Sequence, residues 1–366
     1  MDIPVRLRAI REAFGFTLQE VGESTGIGVS SLSEFENGKR EPSLSHLKKL
    51  AMLYEKPITF FLETSVTAAP TLLWRKKPAE PKRAKLESKF TTLCKQYKNL
   101  EIWTKAPKAI AFNKLFVEAF PENYQQVRLL AHETSKQMDL GARPGESLFR
   151  VLEEVYGVKI FHLPLGDDAS SACFYTEEFG PAIMLNNDSK QWRRNFDLAH
   201  ELFHLITWKV RAASNEGDLL SDKEESFADH FASMLLIPEQ ALRDAIEAAL
   251  MPDNKISCDN LDAIARQFNV SLDALSWRLH YVYNTTPDAV RQMIEKTKNY
   301  STLPSRQSEN PPDLPSRYKA LAVTALKQGE ISSQQFANYL GISISEAYAY
   351  NIPGNSDAIQ INTGIM

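Results

Sequence analysis

Apolar residues recur at helical spacing from the start of the chain. In "VRLRAIREAFGF" Leu7, Ile10 and Phe14 fall on one face, Gly15 ends the run, and Thr17 stands where it can cap the next helix. "TLQEVGESTGIGVSSLSEFENGK" reads as a helix, a turn at Gly26 to Gly28, and a second helix stopped by Asn37-Gly38. "SLSHLKKLAMLY" opens on another cap and is expected to carry Leu44, Leu47, Leu50 and Ala51 inward, so that five short helices fill residues 3–63.

From Thr64 to about Pro107 the periodicity loosens. "AAPTLLWRKKPAEPKRAK" holds three prolines among clustered Lys and Arg and reads as a linker into a helix at about 86–102. Two further helical patterns, "NYQQVRLLAHETSKQMDL" and "GESLFRVLEEVYG", precede three β-like runs, "VKIFHL", "SACFY" and "PAIMLNN". The helix "FDLAHELFHLI" follows, and after Ser221 the chain is helical again. This order predicts a mainly α fold with a small β-sheet, an α+β plan. The expected divisions are an N-terminal helical domain at 1–63, a basic linker and connecting helix at 64–107, a domain at 108–300, and a proline-rich linker with a C-terminal helical extension at 301–366. One pattern returns three times: "LQEVGESTGIGVSSL", "LDAIARQFNVSLDAL" and "QQFANYLGISISEAY" each read as a helix-turn-helix unit.

Composition adds little to this picture until it is divided. With 43% hydrophobic and 24% charged residues, and no apolar run near the roughly 20 residues of a membrane span, the chain reads as soluble and globular. "MDIPVRLRAIREAF" lacks the apolar core of a signal peptide, so a cytoplasmic location is expected. Cys94, Cys173 and Cys258 are too far apart for a C-x-x-C clip and read as free thiols. The net charge of -4 conceals an asymmetry: residues 1–63 carry 8 Lys/Arg against 9 Asp/Glu, whereas residues 64–111 carry 11 against 3.

The chemistry concentrates in "FDLAHELFHLI". On a helix His200 and His204, at i and i+4, turn a ring nitrogen each towards one point, and Glu201 projects beside it. Zinc held there would lower the pKa of a water to about 7, with Glu201 placed to take its proton. Residue frequencies alone would produce H-E-x-x-H in roughly 1% of chains this long. A catalytic zinc site needs a third protein ligand, and "DKEESFADHFASMLLIP" supplies Glu225, with Asp229 one turn on to fix a histidine through its other nitrogen. Taken alone, "EESFADHF" reads as a solvated face; the neighbouring histidine pair reverses this in favour of the ligand reading. His46, His132, His162 and His280 have no partner at ligand spacing and read as structural, and His230 would have to displace Glu225. Tyr175 is one candidate among several for steadying an oxyanion.

These stretches, with "LDAIARQFNVSLDALSWRL" after them and "GVKIFHLP" and "GPAIMLNN" before, resemble the ImmA/IrrE family of zinc metallopeptidases over roughly residues 120–285. The usual pattern there is F-T-x-A-H-E-x-G-H followed by E-x-x-A-N-x-F-A-x-x-L-L-x-P. The resemblance implies a zincin-like domain with His200, His204 and Glu225 as zinc ligands, Glu201 as general base, and a protein substrate such as a repressor or an antitoxin-like partner, cut under stress or induction. Asp197, Phe203 and Asp229 depart from the usual Thr, Gly and Asn.

Residues 5–62 resemble the XRE-type, lambda-repressor-like helix-turn-helix. The resemblance implies that Val29, Ser30, Ser31 and Glu34 face base edges, with Arg11, Lys39, Arg40 and Lys49 near phosphates. Leu18 and Val29 depart from the common glutamines, and the module is slightly acidic. Since affinity for DNA comes mostly from phosphate neutralisation, such a reader is expected to bind weakly alone, with help from dimerisation or from the basic stretch 75–89. The third unit, 317–350, reads as packing or dimer surface. The expectation is a cytoplasmic transcriptional regulator, a homodimer that binds an operator and carries a zinc endopeptidase domain. The alternatives are a DNA-binding regulator or antitoxin whose metallopeptidase fold senses or holds a partner without proteolysis, and a scaffold without metal.

Overall fold

The computed structural model describes residues 3–14, 16–54, 56, 58–62, 71–107, 109–213, 221–307 and 310–350. Gly15, and residues 64–70 of the segment read as a linker, lie outside these. The five expected N-terminal helices are α1 (Ile3–Ala13), α2 (Leu18–Thr25), α3 (Val29–Glu36), α4 (Leu44–Leu53) and α5 (Thr59–Leu62). Thr17 begins α2 through a reciprocal cap: its hydroxyl accepts from the Glu20 amide while the Glu20 carboxylate accepts from the Thr17 amide. Leu7, Ile10, Phe14, Val21, Leu32, Phe35, Leu47 and Leu50 close one core. Leu44 does not join it and is 68% exposed. It opens α4, and a helical side chain leans towards the N-terminus, here beyond the body of the module.

Arg11 also departs from expectation. Its guanidinium donates to both oxygens of Glu36 at 2.7 and 2.9 Å and to the Phe16 carbonyl at 2.9 Å, tying α1 to the end of α3. It is an internal clamp rather than a phosphate contact.

The segment read as a linker contributes a strand. β1 (Leu73–Trp74) pairs antiparallel with the later strand at Ser171–Thr176, and Trp74 donates its indole N–H to Glu87 at 2.8 Å. α6 (Lys82–Trp103) follows. Its Ser88 hydroxyl donates to the Tyr54 carbonyl at 2.9 Å, and Phe90 packs edge-on against Phe161 and Phe174, so one helix touches both the N-terminal core and the sheet.

After α7 (Tyr124–Gln137) and α8 (Pro144–Arg150), the three expected strands appear as β2 (Lys159–Leu163), β3 (Ser171–Thr176) and β4 (Gly180–Asn186). The sheet order is β1-β3-β4-β2, with β2 parallel to β4 and the other pairs antiparallel. α9 (Gln191–Ile206), α10 (Trp208–Ala213) and α11 (Asp222–Leu236) come next, then α12 (Glu239–Ala249), α13 (Cys258–Gln267), α14 (Leu272–Tyr283) and α15 (Pro287–Tyr300). From Asp197 to Ile206 every residue of α9 is buried, in a core shared with β3, β4, α7 and α11.

Contacts divide the chain into two units, Met1–Cys94 with Ala109–Asp313, and Lys95–Lys108 with Leu314–Met366. The prolines after residue 301 therefore do not all form a free linker. Within the first unit Ser301 and Thr302 bind Asp259, and Arg306 lies 4.5 Å above the Trp192 ring. The second unit holds α16 (Ser316–Lys327), α17 (Ser333–Leu340) and α18 (Ile344–Ala349), with Tyr97 and Tyr318 edge to face and Arg317 donating to Glu101 at 2.6 Å. The three repeated sequence patterns share one local device. Gly26, Asn269 and Gly341 take φ of 66, 55 and 67°, the left-handed conformation that turns one helix into the next.

Arg11→Ala should lower the stability of the N-terminal module by about 3 kcal/mol, because it leaves the Glu36 carboxylate buried without its partner. Urea unfolding of the full chain checks this, and a change within 0.5 kcal/mol, on the order of a surface substitution, would refute it.

Candidate metal centre

Two helices bring the site together. His200 and His204 lie one turn apart on α9, and their Nε2 atoms face each other at 3.2 Å. Glu225, in the first turn of α11, brings one oxygen to 3.5 Å from His200 Nε2 and the other to 3.5 Å from His204 Nε2. Both rings are buried and the carboxylate is about one-quarter exposed, so the cluster opens on its carboxylate side.

These distances bear on what the cluster can hold. Two facing imidazole nitrogens share one proton at most, and Glu225 Oε1 is buried without a hydrogen-bond partner among the described residues. A tetrahedral zinc with bonds of roughly 2.0–2.1 Å separates neighbouring donor atoms by about 3.3 Å. The two Nε2 atoms lie 3.2 Å apart and each has a different Glu225 oxygen at 3.5 Å, close to that spacing, and two imidazole nitrogens with a carboxylate are a donor set that zinc accepts. Among the described residues this is the one group of three metal-ligating side chains found that close together. Burial opposes the charge of Glu225, yet the adjacent His200 and His204 rings outweigh it and hold the carboxyl down at about 2.

The groups behind the cluster are as specific. Asp229 Oδ1 lies 2.9 Å from His200 Nδ1, the position its spacing suggested. The same oxygen accepts from Arg75 at 2.6 Å, and Arg75 also donates to Asp197, which Arg193 reaches at 3.1 Å. Burial pushes the Asp197 carboxyl up, against the pull of Arg75 and Arg193. On the other side of α9 the Ser171 hydroxyl, at the start of β3, donates to Glu201 Oε1 at 2.6 Å, while Glu201 Oε2 is buried with no hydrogen-bond partner among the described residues. Cys173 lies close to Glu201, and burial raises its thiol well above the ordinary range.

Sequence reasoning missed Arg75 and Ser171. Arg75 sits in a stretch whose prolines and charges hide a two-residue strand, and no spacing rule links it to residues 122 and 154 positions on. The one available signal was Asp197, an acid where the resemblance expects Thr. Phe203 is fully buried between Phe120 and Phe231, so its bulk goes into the core and not into the opening. Tyr175 packs edge-on against Phe116. His162 stacks on Phe149, and His230 lies between Tyr124 and Tyr281.

In the N-terminal module Val29 and Ser30 are exposed at the start of α3, and Ser31 and Glu34 are half-buried. Lys39, Arg40 and Lys49 are exposed. Arg40 approaches Glu34 at 3.9 Å and lies over the Phe35 ring, so the acid on this face has a local cation. No helix among the described residues is long and apolar enough to cross a membrane.

Residues 7–61 match the family model described as helix-turn-helix, and residues 153–280 match that of the IrrE N-terminal-like domain, a peptidase family. The chain therefore joins an XRE-type helix-turn-helix domain to an IrrE-like domain, and the latter contains the whole histidine–glutamate cluster. No curated protein matches the chain. Among solved structures it is similar to a Mycobacterium tuberculosis transcriptional regulator, at 15% identity over 51% of each chain with a TM-score of 0.31. It thus spans about half the length of that protein. It is also similar to Bacillus thuringiensis PlcR in complex with the peptide PapR7 and DNA, at 12% identity over 96% of this chain and 97% of that one, with a TM-score of 0.17. Likenesses this slight carry no structural inference.

Burial, and the charges of Arg194 near His162 and of Arg278 and Arg128 near His230, lower both histidines to about 4 from an ordinary 6.5. Between these values the unfolded chain binds more protons, so stability should be full above pH 6.5 and decline as pH falls towards 4. Thermal unfolding across that range should show the decline, and replacing both histidines by glutamine should flatten it; an unchanged slope in the double variant would rule out this origin.

Proposed function

We propose that the chain is a cytoplasmic transcriptional regulator whose IrrE-like domain is a zinc-dependent endopeptidase acting on a protein partner such as a repressor. His200, His204 and Glu225 would hold the zinc, and the observation that carries this reading is the convergence of the two Nε2 atoms, 3.2 Å apart, with a Glu225 oxygen 3.5 Å from each. When bound, zinc polarises a carbonyl and brings the pKa of a water near neutrality.

The chain's own residues divide the remaining work. Asp229 accepts the Nδ1 proton of His200, which leaves the Nε2 lone pair turned to the cluster, and Arg75 holds Asp229 in place. Glu201 is the general base: the Ser171 hydroxyl fixes one oxygen, and the unpartnered oxygen takes a proton from water and returns it to the leaving amine. The apolar walls of α9 and the sheet keep bulk water from that carboxylate. In the N-terminal module Val29, Ser30, Ser31 and Glu34 face base edges of an operator, Lys39 and Arg40 approach phosphates, and a homodimer adds the affinity that a slightly acidic module lacks.

Elemental analysis of the purified chain should find about one zinc, lost in His204→Ala and kept in Glu201→Gln. Glu201→Gln should reduce cleavage of a co-expressed partner at least ~100-fold, followed by mass spectrometry. Unchanged cleavage would remove Glu201 from the chemistry. Operator binding that survives chelation, with no partner cut by the zinc-loaded chain, would replace the peptidase by a regulator that only holds its partner.

Arg40→Ala should weaken DNA binding about equally across sequences and reduce the slope of log affinity against log salt by about 0.9. Electrophoretic titrations at several salt concentrations measure both, and an unchanged slope would separate Arg40 from phosphate.

A further inference from the structure

Behind the cluster lies a cavity of about 640 Å³, bounded by α9, α11 and α14. That volume falls in the range of small-molecule sites. His200, His204, Glu225 and Glu201 do not line it; Asp229 does, on the Nδ1 side of His200 and away from the facing Nε2 atoms. The space is therefore set off from the point where the three donor atoms converge.

Its walls are unusually aromatic. Tyr124, Trp192, Phe196, Trp277 and Tyr281 come from three helices, and Tyr124, Trp277 and Tyr281 remain 52, 38 and 58% exposed. Exposed rings gathered at the mouth of a concave site mark a binding surface, since their area is removed from water when a flat ligand enters. His230 adds a sixth ring, one kept uncharged by burial and by the charges of Arg278 and Arg128.

The charges select among flat ligands. Both carboxylates in the lining are already engaged, Asp229 by His200 and Arg75 and Asp273 by Lys298 at 3.1 Å. The two lining guanidinium groups, Arg75 and Arg193, share the single oxygen Asp197 Oδ1, and Arg193 remains 49% exposed. A cation among these rings would lack a free carboxylate, would find one face of Trp192 already covered by Arg306, and would meet guanidinium groups at the wall. We infer that this cavity binds a small planar aromatic molecule bearing one carboxylate, its ring against the Trp and Tyr walls and its anion on Arg193, with Arg75 beside it. Arginine suits that role because its planar fork takes both carboxylate oxygens. The inference does not rest on proteolysis and holds equally for a chain that cuts nothing.

Calorimetric titration of the full chain with 2-naphthoate, 2-naphthamide and 2-naphthylmethyl-trimethylammonium tests it. The carboxylate should bind at least ten times more tightly than the neutral amide, and the cation more weakly than either. Arg193→Gln should weaken naphthoate about tenfold and abolish the preference over the amide. Trp277→Ala should weaken acid and amide alike. Both side chains are more than one-third exposed, and circular dichroism verifies that the variants fold. Equal affinity for acid and amide, preference for the cation, absence of heat at millimolar naphthoate, or indifference to both substitutions would overturn the inference. So would displacement of naphthoate by an aromatic peptide that the chain then cleaves, which would make the cavity a substrate subsite; in that case the peptidase reading stands and this one falls.

Discussion

A helix buried on every side cannot carry two histidines and two carboxylates without partners, and α9 carries all four between Asp197 and His204. A buried charge left alone costs several kcal/mol, so neighbouring elements must bring counter-groups. β3 brings Ser171 to Glu201, α11 brings Glu225 and Asp229 to the histidines, and the residue after β1 brings Arg75 to Asp197 and Asp229. Among these groups Asp197 Oδ2, Glu201 Oε2 and Glu225 Oε1 still lack hydrogen-bond partners among the described residues, and the last two belong to the carboxylates proposed for chemistry and for metal. Local under-satisfaction of this kind is what distinguishes a site from a merely stable core.

How much of this the sequence disclosed depends on distance along the chain. The histidine pair is one helical turn, and the Glu225–Asp229 pair is another, so both were readable from spacing. The strands of the sheet were readable as β-branched runs, and the caps at Thr17 and Ser43 announced their helices. Arg75 was not readable, because a strand of two residues has no alternation and its partners lie more than a hundred positions away. Ser171 opens a strand recognised for its apolar content, and nothing local marks a serine that faces a glutamate across the core. Leu44 and Arg11 failed for opposite reasons: one is an apolar residue at a helix end with nothing above it, the other a surface-type cation drawn inward by Glu36.

The N-terminal module and the IrrE-like domain are distinct in sequence, yet α6 serves both within the first unit. Ser88 holds the Tyr54 carbonyl of one core, and Phe90 fills a space between Phe161 and Phe174 in the other. The basic charge of residues 64–111 accordingly has two fates. Arg75 is consumed by the interior, whereas Lys76 donates to the Asp167 carbonyl at 2.8 Å, Lys82 pairs with Asp168 at 3.6 Å and Lys77 stays exposed at the surface.

The short strand before α6 alters what counts as the beginning of the IrrE-like body. A fragment cut at residue 108, where the pattern of the sequence places the seam, would discard β1 and Arg75 together. Asp197 would keep Arg193 alone, His200 would be steered by an aspartate with no anchor of its own, and the rim of β3 would lose its neighbour. The smallest piece able to keep the arrangement around His200 therefore begins upstream of Leu73, so the two modules overlap in their use of the chain even though they are separate in their cores.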